Sequence, residues 1–114
     1  MNQDIVLKFI TMPMAIKVFK QDRESFLKSK VSNVYQDLID SILNKMQSEF
    51  NTLKKDMYTK YHLNVRYIGM VNNTVRYSVN REMVEFTPKE LKNKTEALMK
   101  VYLVNAEVKA QDPV

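Results

Sequence analysis

The chain has 114 residues, 45% of them hydrophobic, and a formal net charge of +5. That length and apolar share suit one globular domain and are too small for two cores. Cysteine is absent, which excludes a disulfide framework, a thiolate nucleophile and a Cys-type zinc site.

The chain opens on Asn2, Gln3 and Asp4, not on a basic patch. Its most apolar stretch, Ile5 to Ile16, is broken by Lys8 and Pro13 and falls short of the roughly 20 residues a spanning helix needs. A cytoplasmic protein without stable membrane insertion is expected. The first thirty residues carry the largest excess of basic groups, and no dense basic block exists anywhere. A lysine-rich solvated surface is favoured over a polyanion footprint.

Ile5, Phe9, Met12, Ile16 and Phe19 recur at fours and threes, which is one face of a helix. The β-branched residues of Ile5 to Ile10 make a strand the competing reading. Pro13 should interrupt or kink this helix, or stand at the first position of a second short one. Lys8, Lys17 and Lys20 flank the apolar face, so reversible membrane attachment competes with core burial, and burial is favoured.

The second segment carries the strongest periodicity. Val31, Tyr35, Leu38, Ile42, Met46, Phe50, Leu53, Met57 and Tyr61 form one stripe, widened by Val34, Ile39, Leu43 and Tyr58. Asp22 is a candidate N-cap if the helix reaches back through Phe26 and Leu27. A helix from Val31 to His62 would span about 48 Å. A compact domain of this size has a radius of gyration of about 13 Å. The helix must therefore break near Ser29 to Asn33 or project beyond its domain. A projecting apolar stripe implies self-association or a partner protein.

A β-meander follows, with strands at Asn64 to Met70, Thr74 to Val79 and Glu82 to Thr87. Asn72-Asn73 suits a two-residue type I′ turn, and Asn80-Arg81 is a weaker second one. These turns set Ile68 against Tyr77, Met70 against Val75, Tyr77 against Val84 and Val75 against Phe86. One apolar face results, holding Ile68, Met70, Val75, Tyr77, Val79, Val84 and Phe86. Val65, Tyr67, Gly69, Arg76, Ser78, Met83 and Glu85 are left on the other.

Thr87-Pro88-Lys89-Glu90 is a capping box with proline at the first helical position. The helix it opens carries Leu91, Leu98, Val101 and Tyr102 and should end near Asn105. The expected fold is a two-layer α+β domain over residues 1–106: an N-terminal helix, a long helix, a three-stranded antiparallel meander and a C-terminal helix. Residues 107–114 are expected to form a flexible tail.

Chemistry-bearing residues are few. His62 is the only histidine and falls where the long helix should end, so a capping role outweighs a catalytic one. Asp37 and Asp40 share a helix face, as metal pairs do, but lack further ligands, and a solvated face is favoured. One glycine cannot build a phosphate-cradling loop. No enzyme activity, cofactor or metal site is expected. Tyr67 with Arg76 could stack a base and hold a phosphate, although the register also pairs Arg76 with Glu85. Lys54, Lys55, Lys60, His62, Arg66 and Arg81 form a second candidate polyanion surface. Most methionines belong to apolar faces, while Met12, Met14 and Met83 are candidates for an adaptable exposed surface.

The run Phe9-Ile10-Thr11-Met12-Pro13-Met14-Ala15 and the helix holding Tyr35, Leu38 and Ile39 resemble small proteins of Gram-positive bacteria and their phages. The resemblance covers the first half of the chain and implies a small non-catalytic accessory protein, with no residue role. The function expected first is a non-enzymatic interaction or oligomerising protein acting through the long helix. The alternative is a small basic nucleic-acid-binding regulator using Lys54, Lys55, Lys60, Arg66, Tyr67, Arg76 and Arg81.

Overall fold

The computed structural model describes residues 3–27 and 32–111. Within them run α1 (Gln3–Leu27), α2 (Ser32–Thr59), β1 (Val65–Val71), β2 (Thr74–Val79), β3 (Glu82–Phe86) and α3 (Pro88–Gln111). The three strands form one antiparallel sheet in the order β1-β2-β3. This is the expected α+β arrangement. No helix is long and apolar enough to cross a membrane among the described residues.

Pro13 does not end α1, as expected, but lies inside it. Proline forfeits one bond to the carbonyl four residues earlier and crowds it. The helix continues because Met12, Ala15, Ile16 and Phe19 on either side of Pro13 are all buried. The proline ring itself is exposed. Two residues before the proline, the Thr11 hydroxyl donates to the Leu7 carbonyl at 2.8 Å. Asp22 lies within α1 and caps nothing downstream.

α1 is the central element, and that explains its poor amphipathicity. Its Met12, Ala15, Ile16 and Phe19 meet Ile39, Ile42 and Met46 of α2 and Tyr102 of α3 in one core cluster. Its Val6 and Ile10 meet Val79, Phe86 and Leu91 in a second, beneath the sheet. A helix covered on several sides needs apolar residues around much of its circumference. The face considered for membrane attachment is thus core, with Lys8, Lys17 and Lys20 left exposed.

α1 and α2 run antiparallel. The Phe9 and Phe50 rings lie 5.6 Å apart, and Arg23 Nε donates to Asp40 Oδ1 at 2.6 Å. The long helix therefore lies alongside one of similar length. The molecule measures 48 × 32 × 17 Å with a radius of gyration of 16.2 Å, so α2 fits within its long axis. Val31 and the polar run up to it from residue 28 lie outside the described residues. Of the expected α2 stripe, Ile42, Met46 and Met57 are buried, whereas Tyr35 is half exposed and Tyr58 is 82% exposed.

Both hairpin turns have the backbone their sequences call for. Asn72 and Asn73 have φ of 52° and 64°, and Asn80 and Arg81 have 50° and 75°. Met70 faces Val75, Tyr77 faces Val84 and Val75 faces Phe86, as expected. Ile68 does not face Tyr77. A bulge between Tyr67 and Gly69 makes Ile68 the extra residue and sets Tyr67 opposite Tyr77. The start of β1 is thereby flipped, so Val65 and Tyr67 join the helix-facing side and Arg66 the outer one. Gly69 permits this with φ of 146°, and a Cβ there would meet nothing within 4 Å, so conformation and not crowding selects glycine.

The capping box closes as expected. Glu90 N–H donates to Thr87 Oγ1 at 3.0 Å, and Thr87 N–H to Glu90 Oε1 at 3.3 Å. α3 then runs past Asn105 to Gln111, through part of the expected tail, whose remainder, residues 112–114, lies outside the described residues.

Candidate functional site

α2 ends on a C-cap built around His62. This residue has φ of 52°, and Leu63 N–H donates across it to the Met57 carbonyl at 2.8 Å. The closure spans seven residues, one more than a Schellman turn, with the left-handed residue just before the donor. His62 therefore caps α2, as its position suggested. Asn80 ties this cap to the sheet. Its side-chain oxygen accepts from Asn64 N–H at 2.8 Å, and its amide donates to the His62 carbonyl at 3.0 Å.

The tie brings the β2–β3 turn, with Arg81, to the α2–β1 connection, with Lys60. Arg66 follows at the start of β1, on the outer face opposite Ser78. Lys54 and Lys55 lie on the last turns of α2, where the Lys54 ammonium sits 5.0 Å from the centre of the Phe50 ring. Thus five of the expected polyanion-binding residues belong to one end of the molecule. The acidic residues at that end include Asp56, Glu82 and, since α1 runs antiparallel to α2, Asp4.

Tyr67 and Arg76 do not join them as a pair. The bulge places Tyr67 on the helix-facing side, its ring edge-on to Tyr77 at 5.5 Å. Burial, and then the neighbouring Tyr67, push the Tyr77 phenol pKa up. Arg76 stays on the outer face, where Nε donates to Glu85 Oε1 at 2.9 Å in the cross-strand ion pair that competed with the platform. Gly69 lies opposite Arg76 on that face. A stacking platform of Tyr67 with Arg76 would need both on one face.

Asp40, half of the considered metal pair, accepts the Arg23 hydrogen bond. That bond, and then the carboxylate charge, raise the guanidinium pKa above its ordinary value. The cleft there, about 570 Å³, is lined by Lys20, Arg23, Asp40, Asn44 and Gln47 together with Ile16 and Leu43. Tyr102, buried in the core, donates to Glu49 and lies beneath the Lys45 ammonium, 5.9 Å from its ring.

Two features escaped the sequence reading. The first is an apolar groove of about 470 Å³ between α1, the sheet and α3, lined by Met14, Val18, Met70, Val75 and Met99. Lys92 and Glu96, one turn apart on α3, line it as well. Met70 lines it from edge strand β1 and is 58% exposed, and Tyr67 and Ile68 of the same strand are 63% and 49% exposed. Met14 had been marked as exposed, but its neighbours come from four elements and no local spacing unites them. The second is Tyr58, placed on the core stripe although Lys54 and Lys55 lie one turn before it on the same face. That spacing was the available signal.

The family model described as YhjD protein matches the chain over residues 1–107. No curated protein matches it. No solved structure matches it either.

Proposed function

The chain belongs to the YhjD protein family, and we propose that it is a non-enzymatic, self-associating interaction protein whose contact surface is the methionine-lined groove and the exposed strand beside it. The long helix, the surface expected first, has the middle of its apolar stripe covered by α1 and α3, with Tyr35, Tyr58 and Tyr61 left exposed toward its ends. The observation that carries the reading is the apolar groove itself, which edge strand β1 enters through the exposed Met70. Apolar side chains in contiguous exposure lose solvation free energy unless something covers them, whereas scattered ones mean little.

The other sheet edge behaves differently. β3 carries Glu82 and Glu85, charges that discourage association at an edge. β1 has Arg66 near its start and no charge from Tyr67 to Val71. Its bulge limits ladder pairing with another strand, so side-chain burial in the groove is the stronger source of affinity.

The occupant is a second copy of the chain. A two-fold contact is isologous, so one patch must complement itself. This patch holds both a cavity and a projecting apolar strand. Lys92 and Glu96 at the groove have opposite charges, so a two-fold contact can pair Lys92 of one copy with Glu96 of the other and the reverse. Flexible thioethers suit a surface that must repack on association.

Static light scattering tests the reading. Wild type at high micromolar concentration is expected at about twice the chain mass of 13.5 kDa. Met70→Lys, which sets an ammonium in the groove mouth, should give the monomer mass with unchanged circular dichroism. A monomeric wild type, or a Met70→Lys variant that remains dimeric, contradicts the proposal.

A further inference from the structure

We infer that the C-terminal face of α2 is a binding surface for single-stranded nucleic acid, built on Tyr58. This surface is separate from the groove and does not rest on self-association.

Tyr58 is 82% exposed. Lys54 and Lys55 precede it by four and three residues, so all three share one side of the helix. Tyr61, 41% exposed, follows just beyond the helix end. His62 lines a cavity of about 540 Å³ together with Tyr58, Thr59, Leu63 and Asn64. The Asn80 tie holds this end of the helix against the sheet, which adds Arg81 and Arg66 to the same end. The surface thus combines accessible aromatic rings with Lys54, Lys55, Lys60, Arg66 and Arg81, opposed by Asp56, Glu82 and Asp4.

Charge complementarity names the ligand as a polyanion. The rings narrow it further. A phosphate chain alone gains nothing from an accessible tyrosine face, and an acidic peptide needs only the cations. An unpaired base stacks on such a face while neighbouring phosphates meet lysine and arginine. In a duplex the base faces are already stacked on each other, so a ring on a helix surface finds no partner there. The residues differ from the Tyr67–Arg76 pairing, since those side chains lie on opposite faces of the sheet.

The experiment is fluorescence anisotropy with a labelled oligothymidylate of about 20 nucleotides, longer than the site of one small domain. A duplex of equal length and heparin serve as competitors. Wild type should bind the single strand at about 50 mM salt and lose orders of magnitude in affinity by about 200 mM. Tyr58→Ala should weaken single-strand binding about tenfold or more and leave heparin binding unchanged. Lys55→Ala should weaken both, and Lys17→Ala on α1 neither. Tyr58 is too exposed for its truncation to unfold the chain. The inference is overturned if wild type does not bind at low salt, if Tyr58→Ala binds as tightly as wild type, or if the duplex competes as well as the single strand.

Discussion

His62 shows how one residue can cost stability and still organise its surroundings. A left-handed backbone is unfavourable for any residue with a Cβ, by about 1–2 kcal/mol. His62 accepts it because the turn must bring Leu63 N–H to the Met57 carbonyl. Asn80 then reads the resulting geometry by donating to the His62 carbonyl. Glycine would adopt the same backbone without the Cβ cost, at the expense of a more flexible unfolded chain. His62→Gly should therefore raise stability by about 0.5–1 kcal/mol in urea denaturation. A loss of stability would mean that the imidazole itself makes a needed contact. Residue-scale codes of this kind were legible. Asn72-Asn73, Asn80-Arg81 and the Thr87–Glu90 box each act within four residues, and each adopts the backbone or bonds its sequence implies.

Elements follow local codes only until tertiary contacts outweigh them. Pro13 is the clearest case: its local rule breaks a helix, yet the buried residues around it keep α1 whole. The cost remains in the structure. Pro13→Ala restores a donor toward the Phe9 carbonyl and removes a clash worth about 3 kcal/mol in a helix interior. Proline also restricts the unfolded chain, which offsets about 1 kcal/mol. A net gain of about 2 kcal/mol is expected from thermal or chemical unfolding. No gain would indicate that the helix already relieves its proline locally. The bulge in β1 is the converse case. Turn arithmetic gave the right partners for Met70 and Gly69 and the wrong one for Ile68, because an inserted residue leaves no trace in an alternating pattern. Only Gly69, the sole glycine in the chain, hinted that the strand departs there from ordinary backbone. The slip moved Tyr67 across the sheet and so dissolved one candidate site.

At the scale of the molecule, the length of α2 was legible and its consequence was not. Periodicity measures a stripe, whereas a stripe is covered by whatever lies against it. Here that is α1, which reads weakly because it faces two cores at once. The same reasoning locates the surface left without a cover. α1, the sheet and α3 close around their shared core but leave Met14, Met70 and Met99 in an open groove. Such a site is assembled from residues distant in sequence, and no window along the chain contains it. The cations at the other end gather for a similar reason, since Asn80 joins segments that no motif connects.

Self-association through the groove is tested most directly by the methionine methyl signals in an NMR dilution series. Met14, Met70 and Met99 line the groove, while Met83, 59% exposed on the outer face of β3, is an internal control. The methyl resonances of the three groove methionines should shift together as the protein is concentrated, with Met83 unmoved. Groove signals that stay constant across the series, or a shift confined to Met83, would contradict the account.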